Sequence, residues 1–324
     1  MSGNRVWAAA LVASSFALGL GADAHAQTYP SRTIKIITPN TPGSPVDVLG
    51  RVVAEHMQDH LGQSVIIENR PGGSQSIGAK AVATADPDGH TLLLFSNSHY
   101  FGLATNPGYD PVKSFIPVAT VAEWNHVLVV RPDFPAKTVS ELVAFAKSNP
   151  GKVTFGFGLS TPPQILGETL KNLTGADIVS VPYRGGAPAV TDMLGGRIDM
   201  NFGTTATLLP LVQQEKVRAI AFTGAKRSPD LPDVPTMTES GFPQVSFNPD
   251  NWTAISAPAG TPKAVVDKLY TAIDQSLRAP AVLARFKKFG FEVMIKRRHE
   301  LEAFVASEAQ RWPPIVSAAG LKPE

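Results

Sequence analysis

Ile34-Lys-Ile-Ile-Thr-Pro-Asn-Thr-Pro-Gly-Ser-Pro-Val-Asp47 changes character midway, and that change decides the fold. Its first five residues are mostly β-branched and apolar, the composition of a strand. Pro39 to Ser44 then set prolines, a glycine and short polar side chains in a row, where neither strand nor helix continues. Gly43 permits the backbone to turn. Pro45 suits the first position of a helix, since the N–H it lacks has no partner there. Val46 to His60 reads as the helix that follows. A strand, a polar loop and a helix in this order make one βα unit.

The same scheme runs outward from this unit. Val65 to Glu68 and Thr91 to Phe95 read as further strands, separated by the turn Pro71-Gly-Gly73 and a small-residue helix from Ser76 to Ala85. A second series begins with Val127 to Val130 and the helix Val139 to Ser148. It continues through Val153 to Phe157, Ile178 to Val181, Ile198 to Phe202 and Val217 to Phe222, with helices between. A proline-rich stretch from Ser228 to Pro249 breaks the periodicity. Trp252 to Ser256 resumes as a strand before the helices Pro262 to Leu277, Pro280 to Phe289 and His299 to Ser317. Alternating βα units predict an α/β fold around mainly parallel sheets, and the long irregular stretch reads as a crossing between two domains.

The chain has 324 residues and a formal net charge of +2. Near-balanced charge argues against nucleic acid as a partner, which needs a clustered basic face. Cysteine is absent, which excludes disulfides, a thiol nucleophile and cysteine-based metal sites. Arg5, the apolar stretch Val6 to Leu20 and the small-residue close Ala24-His-Ala26 have the order of a secretory signal peptide, with cleavage expected after Ala26. That stretch is short and broken by Ser14, Ser15 and Gly19, whereas a spanning helix needs about 20 largely apolar residues. No cysteine follows it to carry a lipid. The expectation is an exported, soluble periplasmic protein acting as a monomer.

Ten segments, in order, resemble the Bug family, the extracytoplasmic solute-binding receptors of tripartite tricarboxylate transporters. They are Tyr29-Pro-Ser-Arg32, Pro42-Gly-Ser-Pro-Val-Asp47, Leu61-Gly-Gln63 through Glu68-Asn-Arg-Pro-Gly-Gly73, Asp86-Pro-Asp-Gly89 and Tyr109-Asp-Pro-Val-Lys113. Pro135-Ala-Lys-Thr-Val139, Val181-Pro-Tyr-Arg-Gly185, Thr191-Asp-Met-Leu-Gly-Gly196, Ala225-Lys-Arg-Ser-Pro229 with Leu231-Pro-Asp-Val-Pro-Thr236, and Ala257-Pro-Ala-Gly-Thr-Pro262 complete the set. Each is weak alone, and their order and spacing are specific. The resemblance implies a type II periplasmic-binding-protein fold, two α/β domains with a ligand cleft between them. Residues 27–124 plus 224–324 would form one domain and residues 125–223 the other. It further implies hinge closure on a small carboxylate and delivery to the integral membrane subunits of a transporter.

Ligands of open α/β sheets lie beyond the carboxyl ends of strands, and a helix N-terminus there favours an anion. Asn40, Thr41, Ser44, Pro45 and Val46 fit that role in the loop after the first strand. Gly158, Ser160 and Thr161 repeat the pattern within Gly156-Phe-Gly-Leu-Ser-Thr-Pro-Pro-Gln164. In the family the matching loops clamp one carboxylate from opposite domains. Ser96 and Ser98, Tyr183 and Arg184, and Asn201, Thr204 and Thr205 follow further strands and are expected to line the rest of the cleft. The family commonly has a second glycine where this chain has Ser44, and a Ser-Trp-Phe-Gly-type strand where it has Asp250-Asn-Trp-Thr253, so specificity does not carry over. Phe95, Tyr100, Phe101, Trp124, Phe155, Phe157 and Phe202 lie near the inferred cleft, most of them read as core. A mono- or dicarboxylate is expected, with an aromatic dicarboxylate such as a phthalate as a refinement.

Two other classes were weighed. An exported hydrolase would need a nucleophile elbow, and Gly158-Leu-Ser-Thr-Pro162 lacks the second glycine. His56 and His60 stand one helical turn apart, but Met57 replaces the glutamate of a zinc-protease motif. Phe155-Gly-Phe-Gly158 lacks the third glycine and the lysine of nucleotide loops. The chain is therefore expected to catalyse nothing and to hold no metal or cofactor. A ligand sensor for a signalling partner stays open as an alternative use.

Overall fold

The structure is a computed structural model that describes residues 29–101, 108–247 and 249–320. The expected signal segment and its cleavage point lie outside the described residues. The chain opens with β1 (Ile34–Thr38), α1 (Pro45–Leu61), β2 (Val65–Asn69), α2 (Ser76–Ala83), β3 (Thr91–Ser96) and β4 (Phe115–Trp124). It passes directly into β5 (His126–Val130), α3 (Val139–Ser148), β6 (Val153–Gly158), α4 (Pro162–Thr174), β7 (Ile178–Tyr183), α5 (Gly186–Leu194), β8 (Met200–Thr204), α6 (Thr205–Gln213) and β9 (Arg218–Phe222). It ends with β10 (Asn251–Pro258), α7 (Lys263–Arg278), α8 (Pro280–Lys288), β11 (Glu292–Val293) and α9 (Arg298–Ala318).

The strands form a six-stranded sheet, β11-β4-β10-β3-β1-β2, and a five-stranded sheet, β7-β6-β8-β5-β9. The α/β class holds, but the sheets are mixed rather than mainly parallel. Only β1 with β2 and β3, and β6 with β7 and β8, run parallel. β10 lies antiparallel between β3 and β4, and β5 antiparallel between β8 and β9. The cause is connectivity. β4 and β5 carry the chain out of one sheet into the other, and β10 follows its return. A strand entering from a neighbouring sheet runs against those laid down by βα units.

β4 was not legible in the sequence. Phe115-Ile-Pro-Val-Ala-Thr-Val-Ala-Glu-Trp124 is continuously apolar and carries Pro117, which argues against a central strand. The structure places that proline at an irregularity, where the register against β10 shifts between Ile255 and Ser256. β8 also begins two residues later than expected. Asp199 precedes it, its side chain accepting the Thr154 N–H (2.8 Å) and the Arg131 Nε–H (2.7 Å) while its main chain bonds Thr154 and Arg131.

Register shows where the strand ends point. Trp124, the last residue of β4, pairs with Asn251, the first of β10, and Thr253 pairs with Ser96 at the end of β3. The carboxyl ends of β1, β2 and β3 therefore lie at the edge from which the chain crosses. In the other sheet His126 pairs with Thr204 and Val127 with Phe222, which puts the carboxyl ends of β6, β7 and β8 at the edge where the crossings arrive. Both sets of strand-to-helix loops face the junction.

Asp250 ties the junction together. Fully buried, it accepts hydrogen bonds from the His126 N–H (3.2 Å) and the Phe247 N–H (3.1 Å), contacts His126 Nδ1 at 3.2 Å, and takes the Thr223 hydroxyl. Its own N–H donates to Asn125 Oδ1 at 3.2 Å and its carbonyl accepts from Asn97 Nδ2 at 2.8 Å.

Helix α9 straps the two halves. Glu308, 3% exposed, accepts from the indole N–H of Trp252 (2.6 Å) on β10 and of Trp312 (2.7 Å) on α9 itself. At the far end of the helix Asn172 of α4 donates to the Ala318 carbonyl at 2.9 Å. One apolar cluster follows it, running from Phe95 and Trp252 through Trp312 to Phe155 and Phe202. Each buried donor left unsatisfied costs about 1–3 kcal/mol. Glu308→Ala is accordingly expected to lower stability by roughly 2–5 kcal/mol in urea denaturation. A loss below about 1 kcal/mol would mean that the two indoles find other acceptors.

Candidate functional site

The β1–α1 loop is held by a buried carboxylate. Ser44 caps α1 by accepting the Asp47 N–H at 3.3 Å, and Asp47 reaches back to accept the Gly43 N–H at 2.9 Å. The arrangement resembles a capping box shifted back by one residue, since Asp47 takes the N–H of the residue before the cap, and it needs Gly43, whose φ of +77° few side chains tolerate. Asp47 also accepts from Asn69 Nδ2 at 2.8 Å and from Arg51 Nε at 3.1 Å. Asn69 Nδ2 reaches the Asn40 carbonyl as well, at 3.0 Å, which pins the start of the loop to the end of β2. Burial alone would raise the Asp47 pKa, but Arg51, the Gly43 N–H and Asn69 together outweigh it and hold the carboxyl below its ordinary range. Thr41, Gly43 and Pro45 are exposed, Asn40 and Ser44 half-buried, and Val46 packs into the core beneath α1.

The β6–α4 loop repeats the device with an amide. Gln164 is the third residue of its helix, as Asp47 is, and its Oε1 accepts the Ser160 N–H four residues back at 2.8 Å. Ser160 has a φ of +54°. Thr161 donates its hydroxyl to the Gly158 carbonyl at 2.6 Å and does not cap the helix. The Leu159 N–H donates to the Tyr183 carbonyl at 3.0 Å, joining the loop to the end of β7. Gly158 lies against the start of α5, where a Cβ on it would come within 3.1 Å of Gly185 Cα. Gly185, the residue before α5, makes no side-chain cap, and both Gly185 and Gly186 face open space. Prolines trim the donors in both loops, since Pro42, Pro45, Pro162 and Pro163 have no N–H to offer.

The other expected site residues divide. Thr204 caps α6, accepting the Thr207 N–H at 3.3 Å, and Thr205 is buried, its Cβ lying 3.3 Å from where a Cβ on Gly290 would stand. Asn201 is buried and donates to the Gly156 carbonyl at 2.7 Å, so its amide N–H serves the sheet. The Tyr183 hydroxyl donates to Asp192 at 2.7 Å. Burial, and then that bond, raise its pKa. Arg184 is exposed. Ser96 is buried at the end of β3, its N–H donating to His99 Nδ1 at 3.1 Å, and Ser98 is buried beside it. Burial pushes the His99 pKa down to about 4, so the ring is neutral near pH 7. All seven aromatic residues placed near the cleft are buried in the core. Among the described residues no group of three or more His, Cys, Asp or Glu could hold a metal ion.

Sequence reasoning passed over the Asp47, Asn69 and Arg51 network and His99. The first had a signal, because Ser44-Pro-Val-Asp47 has the spacing of a capping box. His99 had none, since its burial depends on the turn that follows β3.

The chain is similar to known proteins over most of its length. The family description "Tripartite tricarboxylate transporter family receptor" matches residues 49–321. The periplasmic binding protein BugD is 34% identical, its structure superposing with a TM-score of 0.81 over 91% of this chain and 99% of that one. Rpa4515 of Rhodopseudomonas palustris, solved with adipate, is 30% identical, with a TM-score of 0.83 over 91% of this chain and 100% of that one. MatC of the same organism, with bound malate, is 30% identical, with a TM-score of 0.80 over 89% and 100%.

Asp47→Asn keeps the shape of the side chain and removes the charge that Arg51 and the Gly43 N–H meet. Arg51 is half exposed and therefore screened, so the expected loss at pH 7 is about 1–2 kcal/mol in urea denaturation. A carboxyl held below its unfolded pKa stabilises the fold above that pKa and ceases to do so as pH falls through the folded value. The gap between wild type and variant should thus be full near pH 7 and shrink below about pH 4. A gap of constant size down to pH 3 would show that charge is not what Asp47 supplies.

Proposed function

The chain belongs to the tripartite tricarboxylate transporter receptor family, and on that premise we propose that it captures a small mono- or dicarboxylate between two closing lobes. Residues 27–124 with 224–324 would make one lobe and 125–223 the other. Delivery is to the integral membrane subunits of a tripartite tricarboxylate-type transporter. Receptors of this kind, BugD and MatC among them, are solute-binding proteins and not enzymes. Work in the periplasm, after export and cleavage following Ala26, fits a family of periplasmic binding proteins. Among the described residues no helix is long and apolar enough to cross a membrane.

The observation that carries the reading is the mirrored pair of loops at facing strand ends. Each presents a helix N-terminus, and each is rigidified by the third helical residue reaching back to a main-chain N–H. A carboxylate between them meets the positive ends of two dipoles at once. The Gly43 and Asp47 N–H groups are already used, so on the α1 side the Val46 N–H, the Thr41 N–H and short polar side chains are what remain. Ligand favours closure only through contacts that both lobes make together, and Ser44, Thr41 and Asn40 on one side with Ser160, Thr161 and Gly158 on the other supply them. The aromatic side chains that would stack on a phthalate are committed to the core, which favours an aliphatic acid. Adipate in Rpa4515 and malate in MatC are of that class.

Calorimetric titration and thermal shift across a panel of carboxylates test the proposal. A ligand at 100 times its Kd adds about 2.7 kcal/mol of stability, and small-angle scattering should show compaction on binding. Sugars or amines binding where no carboxylate does would overturn the assignment. Gly158→Ala sets a methyl against the Gly185 backbone and moves the α4 and α5 starts apart. It is expected to weaken carboxylate binding about tenfold, or roughly 1.4 kcal/mol, with the unliganded fold retained. Unchanged affinity in a folded Gly158→Ala protein would place the clamp elsewhere.

A further inference from the structure

Four buried polar atoms gather where the six-stranded sheet meets the junction, and none has a protein partner: Asn97 Oδ1, His99 Nε2, Asn251 Oδ1 and Thr253 Oγ1. Their residues are 0%, 1%, 7% and 0% exposed. Register brings Thr253 and Asn251 to the end of β3, and the turn that follows β3 carries Asn97 and His99. Thr253 lies directly across from Ser96, and Asn251 follows on the same face of β10. Asn97 reaches β10 through its bond to the Asp250 carbonyl, and His99 folds back so that its Nδ1 meets the Ser96 N–H. Isolated buried polar atoms cost about 1–3 kcal/mol each, and four at one strand-pair end mark a place built to meet a polar group.

Position and chemistry narrow what that group is. The atoms sit at the same sheet edge as the β1–α1 loop and beside both crossings. Asn97 Oδ1 and Asn251 Oδ1 accept only. Thr253 both donates and accepts. His99 Nδ1 lies 3.1 Å from the Ser96 N–H and 3.0 Å from the Ser96 carbonyl, so Nε2 donates in one tautomer of the neutral ring and accepts in the other. No cation is within the set, and the buried Asp250 carboxylate stands on the adjoining residue. A second carboxylate would meet two acceptors and a like charge. A hydroxyl gives its hydrogen to an amide oxygen and receives one from Thr253.

We infer that these four atoms form the subsite for a hydroxyl group on the bound acid, so that the protein selects a hydroxycarboxylate over the same acid without the hydroxyl. The inference rests on the carboxylate reading above and goes beyond it in naming the substituent. Malate and succinate, which differ by one hydroxyl, are the probes for calorimetry. Wild-type protein should bind malate roughly 10- to 100-fold more tightly, the usual range when a buried polar site is left unpaired by an analogue. Thr253→Val keeps the shape and removes the hydroxyl. It should bring the ratio within about threefold by weakening malate, with succinate unchanged or tighter, while the melting temperature of the unliganded protein holds or rises. Equal affinities in wild type, or a ratio unmoved by Thr253→Val, would overturn the inference and show that solvent meets these atoms. Malate failing to bind while other carboxylates bind would do the same. Failure of every carboxylate would instead remove the receptor reading, and this inference with it.

Discussion

Asp250 sits on the returning chain with no exposed surface, and its partners come from the outgoing chain, from the end of β9 and from the turn after β3. Breaking a buried ionic or hydrogen-bonded group of this kind by removing one partner costs roughly 3–5 kcal/mol. The two crossings are therefore bound to meet at one point, with His126 and Thr223 on one side and Asn125 and Asn97 on the other. Once they meet there, the registers of β4 with β10 and of β5 with β8 leave no choice about direction. Every parallel strand must end toward the junction, and every loop that follows one must face the opposite half.

The two facing loops solve one problem with different chemistry. Each must keep a short, proline-bounded turn rigid while exposing it, and each does so through the third residue of the following helix. On the α1 side that residue is a carboxylate, which places negative charge near the anion that the proposed function assigns to this loop. Arg51 and Asn69 offset this: Arg51 Nε shares Oδ2 with the Gly43 N–H, and Asn69 Nδ2 takes Oδ1. On the α4 side Gln164 carries no charge, and no counter-ion is needed. On the proposed reading, the lobe that carries α4 and α5 would then be nearly neutral at its contact edge, with the dipoles of those helices supplying the attraction.

What the sequence made legible follows from locality. Ile34 to Asp47 announces strand, loop and helix because Pro39, Pro42, Gly43 and Pro45 act on their own backbone. Gly156 to Gln164 does so for the same reason. β4 was hidden because its identity depends on lying between β10 and β11, and Pro117 is tolerated only through a register shift that involves Ile255 and Ser256. Side-chain direction is likewise non-local. Tyr183 ends a strand as expected, yet Asp192, nine residues on, captures its hydroxyl. Asn201 ends in the right place and spends its amide on Gly156. Position in the strand was readable, and commitment of the polar atom was not.

That division bears on where selectivity resides. The clamp loops are poor in main-chain donors, because four prolines remove N–H groups and Asp47 and Gln164 occupy two more. On the proposed reading, a clamp so trimmed would recognise a carboxylate as a class and have little left with which to read the rest of a ligand. Discrimination must then come from side chains that are fixed before the ligand arrives, since a group that has to be ordered on binding spends part of its contribution on that ordering. Thr253 and Asn251 are fixed by a central strand paired on both sides, and His99 by its stack on Phe95 at 4.5 Å. Asn251 and Thr253 lie in the strand where the chain departs from its family's usual pattern, so on the proposed reading a change of solute could arise there without disturbing the loops assigned to the carboxylate.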